Sequence, residues 1–61
     1  MKPTVKLIGK NGNAIIIMSK TIKALKKAGY SVEDIDRYQN EAMAGNYDNL
    51  LRVTMEWVEV E

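Results

Sequence analysis

Apolar and polar residues alternate at the start of the chain: Val5 and Leu7 point one way, and Lys2, Thr4 and Lys6 the other. A period of two belongs to a strand with one buried face. Pro3, which lacks an N–H, suits the beginning or the edge of such a strand. After Ile8, the run Gly9-Lys10-Asn11-Gly12-Asn13 is a turn by composition. The period then changes. Ile15, Met18, Ile22 and Leu25 fall within about 80° of one another on a helical projection, with Ala14 and Thr21 beside them. A hairpin continuing through residues 14–18 competes, but helical spacing persists well past a strand's length and predicts a helix. Asn13 is its N-cap. Lys26 and Lys27 complement the dipole in its last turn, and Gly29 takes the position just past its end.

A second helix opens at Ser31, a good cap, with Asp34 three residues on in a variant of the capping box. Tyr30 and Ile35 are spaced for a hydrophobic staple, and Glu33, Asp34 and Asp36 place negative charge near the helix start. Ile35, Tyr38, Ala42 and Met43 are its predicted inward positions, and Gly45 ends it. A third helix begins near Asn46 or Asp48. Leu50, Leu51, Thr54 and Met55, with Trp57 or Val58, form its apolar side, and Arg52 and Glu56 lie outside. From Trp57 the pattern returns to alternation, Val58 and Val60 against Glu59 and Glu61. That tail fits a strand beside the first, with its acids near Lys2 and Lys6 across the ribbon. The expected architecture is α+β, three helices on a two-stranded ribbon in the order β-α-α-α-β, as one domain spanning residues 1–61.

Composition narrows the chemistry. A chain of 61 residues has neither cysteine nor histidine, so disulfides are excluded and a structural zinc has no ordinary ligands. A domain this size buries only about 60% of the surface its unfolded chain exposes. Phenylalanine is also absent, and Trp57, the lone tryptophan, is expected at the centre of the core. No apolar run approaches the roughly 18 residues of a membrane span, and the first residues lack a signal peptide's apolar stretch. The expected compartment is the cytoplasm, with no membrane contact.

The net charge of +1 hides a split. Residues 1–27 carry seven lysines and no acid, +7; residues 28–61 carry all eight acids against Arg37 and Arg52, −6. Either the halves neutralise each other at their seam, or the molecule has a basic and an acidic face that orient it toward a partner.

Several short words carry a resemblance. Gly12-Asn13-Ala14 follows the strand, Ala28-Gly29 separates two helices, Gly45-Asn46-Tyr47-Asp48 makes a turn, and Trp57-Val58 lies near the end. In this order they resemble small proteins of phages and bacterial mobile elements, over nearly the whole chain. The resemblance implies a prophage or mobile-element origin and carries no activity, cofactor or site residues.

Three constellations bear on function. Without histidine or cysteine the commonest bases, nucleophiles and metal ligands are missing. Asp34 and Asp36, two apart on a helix, diverge. The expectation is a protein that is not an enzyme and holds no cofactor or metal. Second, Gly9, Lys10, Asn11 and Gly12 read GxxG, with Asn13 opening the helix. This resembles the loop and following helix of a K-homology domain, which implies a clamp on the backbone of single-stranded nucleic acid and an anion site at the first helical amides. The chain departs from that family in having a strand before the loop and at most two strands. A strand-to-helix turn that needs glycine's freedom accounts for the same residues. Third, Lys20, Lys23 and Lys27 cluster on the helix side opposite the Ile15–Leu25 stripe, and Ile16 falls among them. Ile16 is either covered from elsewhere in the fold or forms a lysine-rimmed apolar spot where an acidic protein or anion binds. No arginine or aromatic interleaves with these lysines, which disfavours base stacking. The expected function is a non-catalytic accessory binding protein that contacts a protein partner through Lys20, Lys23, Lys27 and Ile16. The alternative is a binder of nucleic acid or a phosphate-bearing small molecule through residues 9–13 and the helix lysines.

Overall fold

The computed structural model describes residues 2–6 and 13–61. The order is β1 (Thr4–Val5), α1 (Ala14–Lys27), α2 (Val32–Ala42), α3 (Tyr47–Trp57) and β2 (Glu59–Val60). The β-α-α-α-β arrangement read from the sequence is therefore present. Leu7, expected beside Val5 on the buried face, and the Gly9–Gly12 turn lie outside the described residues.

Each helix starts and stops where its local chemistry directs. The Asn13, Ser31 and Asn46 side chains accept from the amides of Ile15, Asp34 and Asn49, satisfying donors that have no partner within the helix. At the end of α1 the Tyr30 amide donates to the Leu25 carbonyl and the Gly29 amide to Lys26, each at 3.0 Å. That paired pattern is a Schellman stop, and it holds Gly29 at φ +92°, where a side chain is disfavoured.

The two strands pair in parallel, Thr4 with Glu59 and Val5 with Val60. The Glu59 and Glu61 amides donate to the Pro3 and Val5 carbonyls at 2.8 and 2.9 Å. Parallel strands need a crossover, and here all three helices form it. So short a ribbon is not stable alone; it rests on the helices through Val5 and Val58, both buried. Lys2 does not reach the acids of β2: its ammonium donates to the Met55 carbonyl at 3.2 Å. Two other charged side chains also bond to neutral groups. Arg52 donates to Asn49 Oδ1, and Glu41 accepts from the Trp57 indole.

The core gathers Val5, Leu25, Ile35, Tyr38, Ala42, Leu50, Val53 and Val58. Its centre is Tyr38, which is wholly buried, and not Trp57, which is half-buried. Trp57 lies over the core as a lid, its ring centroid 6.0 Å from Tyr38 and 6.1 Å from Tyr30. Its indole N–H bonds Glu41 Oε1 at 3.2 Å, a polar handle that keeps one edge of the ring at the surface. Tyr38 and Thr54 bring two hydroxyls into the interior and satisfy them against each other at 2.7 Å.

Three inward assignments change. In α1 the buried positions are Ile17, Thr21 and Leu25, while Ile15 is 74% exposed. The buried stripe is rotated by about 80° from the one built on Ile15, Met18 and Ile22. Thr21 accounts for the difference: its hydroxyl donates to the Ile17 carbonyl at 2.8 Å, so a polar residue sits fully buried without an orphaned group. Met18 and Ile22 remain half-buried at the border. In α2, Met43 is exposed because the helix ends at Ala42 and Met43 is its C-cap. In α3, Val53 takes the inward place, and Met55 points out from the far side of the Leu50–Thr54 face.

Candidate basic groove

Because α1 turns Ile17, Thr21 and Leu25 to the core, its lysines flank the helix beside β1. Lys20, Lys23 and Lys27 are spaced by three and four residues, which aligns them along one side. With Ala24 from the same helix, Thr4 and Val5 from β1 and Lys6 just after it, they line an open groove of about 230 Å³. Half-buried Ala24 supplies apolar surface, with Val5 buried beneath it, and the lysines stand around it. Lys6, Lys23 and Lys27 are exposed and Lys20 is half-buried. No acid occurs before Glu33, so neither β1 nor α1 neutralises the groove from its own sequence.

The structure thus brings Lys20, Lys23 and Lys27 to one place. Ile16 is not among the groove residues. It is exposed one turn before Lys20, and the apolar spot that the lysines frame is made by Ala24, with Val5 buried beneath it. Lys6 is the member that sequence reasoning missed. Its strand alternation marked it as outward, but nothing in a strand's pattern says which helix it will stand beside. Of the residues in the alternative anion site, Asn13 is engaged at the helix start, accepting from the Ile15 amide at 2.8 Å. Gly9, Lys10, Asn11 and Gly12 lie outside the described residues.

Two other depressions differ in chemistry. An apolar hollow of about 320 Å³, lined by Ala14, Met18, Met43, Tyr47 and Leu50 among others, sits where the start of α1 meets the α2–α3 turn. A third, of about 360 Å³ between α1 and α2, sets Lys26 with Asp36 around Ile22, Val32 and Ile35 and so has no single sign of charge. Among the described residues, no group of three or more aspartates and glutamates is arranged to hold a metal ion, and no helix is long and apolar enough to cross a membrane. The hydroxyls of Ser31, Tyr38 and Thr54 have structural duties. Ser31 Oγ caps α2, and the Tyr38–Thr54 pair is internal to the core.

Compared with protein-family models, curated proteins and solved structures, the chain matches none.

Proposed function

We propose that this is a non-catalytic binding protein that engages an acidic surface of a partner protein through the groove between β1 and α1. One observation carries the reading. Four lysines, three from α1 and one from just after β1, converge on a shared apolar strip, with no carboxylate from either element among them. A solvated lysine face needs no groove, and a core-facing strip needs no ring of charge. Together they fit a partner that brings carboxylates to the rim and apolar atoms to Ala24 and the floor around it. Individual exposed charge pairs contribute under about 1 kcal/mol, so the lysines act chiefly on orientation and encounter rate. The apolar strip adds contact that salt does not screen. Action in the cytoplasm and a prophage or mobile-element origin, on the resemblance of the Gly12–Ala14, Gly45–Asp48 and Trp57-Val58 segments, belong to the same proposal.

The test is parallel capture from host extract by the wild-type protein and by a variant with Lys20, Lys23 and Lys27 replaced by glutamine. Proteins held by the wild type and lost by the variant, at unchanged thermal stability, are the expected result. If the variant retains them while Asp36 or Glu41 variants lose them, the working surface is the acidic face. If nucleic acid or nucleotides are captured in place of protein, lost steeply with salt and on Lys10→Gln, the residue 9–13 alternative replaces this one.

A further inference from the structure

A two-stranded ribbon has two outer edges, and the groove lies along one of them. The Pro3 and Val5 carbonyls both turn toward β2, where they accept from Glu59 and Glu61. Strand backbone alternates its hydrogen-bonding direction from residue to residue, so the amide and carbonyl of Thr4 face the other way, onto the groove that Thr4 lines. Among the described residues, no strand pairs with β1 on that side. Among the described residues, then, the outer edge of β1 offers unpaired main-chain groups beside Ala24, under a row of helix lysines. Exposed edges are commonly protected by charge against chance pairing. Here the charge is of one sign, which repels basic strands and favours acidic ones.

We propose that the outer edge of β1 receives an extended, acidic segment of the partner protein as an added third strand. The proposal rests on the reading that the groove binds an acidic protein, and specifies how. In an added strand, alternate side chains would turn toward α1, about 6.8 Å apart. Lys20, Lys23 and Lys27 span about 10.5 Å of helix, so two successive helix-facing carboxylates lie within reach of the three ammonium groups, with Lys6 beside them. The ribbon already contains one such partnership, since Val58-Glu59-Val60-Glu61, alternately apolar and acidic, covers the opposite edge of β1. Strand addition takes its affinity from main-chain bonds and its selectivity from alternate side chains, which is the division of labour this edge provides. A second copy of the chain fits less well. Two β1 edges face to face would oppose lysine to lysine, and joining β1 to a neighbour's β2 is a head-to-tail contact that leaves edges open unless a ring closes. Single-stranded nucleic acid would find charge but no aromatic or arginine in the groove to stack on.

The experiment uses a fluorescent synthetic peptide of alternating glutamate and valine, and two isomers of it. One is N-methylated at every glutamate amide, the other at every valine amide. All three carry the same charge, but each isomer is blocked along one edge only. The expected result is that the parent binds, that one isomer binds about tenfold or more weakly, and that the other is nearly unaffected. Thr4→Pro, which removes the outward amide, should weaken the parent similarly. The isomer comparison stands even if that variant folds poorly. Equal binding of both isomers, still dependent on the lysines, would overturn strand addition and leave the acidic-partner reading intact. Displacement of the peptide by oligothymidylate would overturn it in favour of nucleic acid. Failure of the peptide to bind a protein that elutes as more than one copy would assign the edge to self-association.

Discussion

The Tyr38–Thr54 hydroxyl pair gives the sharpest test of how this small core is held together. Both residues are essentially inaccessible to water, their oxygens are 2.7 Å apart, and no buried side-chain oxygen or nitrogen of the described residues lacks a partner. Tyr38→Phe removes one member and leaves the Thr54 hydroxyl buried alone. The lost bond is worth about 1 kcal/mol net, and the orphaned group about 1–3 kcal/mol, so the expected cost is roughly 2 kcal/mol. Thr54→Val, which keeps the shape, should cost a similar amount by orphaning the tyrosine. The double variant leaves nothing unsatisfied and should be more stable than the sum of the singles implies, by about 1 kcal/mol or more. At roughly 4–8 °C per kcal/mol for a domain of this size, all four proteins are separable by thermal and urea unfolding followed by circular dichroism. Strictly additive losses would refute the reasoning, since they would mean that each hydroxyl finds water or another partner once its mate is gone.

Ile17→Ala should cost about 2–4 kcal/mol and Ile15→Ala no more than about 0.5, because Ile17 is buried and Ile15 is exposed; a reversed order in urea midpoints would restore the stripe built on Ile15. Gly29→Ala should lose about 1 kcal/mol through its positive φ alone, there being open space where the Cβ would go. Gly45→Ala should lose at least as much by a different route, with its Cβ 2.9 Å from that of Asn49, displacing a side chain that bonds the Glu41 carbonyl at 2.9 Å; equal tolerance of both substitutions in thermal unfolding would contradict the two close-range explanations.

The boundaries of the helices were legible because caps act locally. Asn13, Ser31 and Gly29 each satisfy or release backbone groups within a few residues of themselves, so their meaning does not depend on the rest of the fold. The orientation of α1 was not legible, for the opposite reason. Four consecutive apolar residues, 15–18, leave the helical projection with more than one apolar centre, and which one is buried depends on where β1 and the other helices lie. Thr21 concealed the answer, since a hydroxyl bonded to its own helix can sit in a core that a polarity pattern would deny it. Trp57 misled through size: a large ring with one donor is suited to a rim, and the smaller Tyr38, paired with Thr54, took the centre. The lysine cluster was visible as helix spacing, but the groove needed Lys6 and Val5, which only the strand–helix packing brings alongside it.

The parallel pairing of Thr4 with Glu59 and Val5 with Val60 also dictates an order of events during folding. Closing a loop of about 55 residues costs about 3.5 kcal/mol beyond a constant term, far more than two ladder steps return, so the ribbon closes only after the helices have assembled and drawn its ends together. It is then also the first part to open. The Glu59 and Glu61 amides should exchange with solvent through local fluctuations well before those of Leu50 and Val53 in α3; uniform exchange across the two would mean that strands and helices open as one unit. The terminal strands act as a latch that registers whether the helices beneath have finished folding.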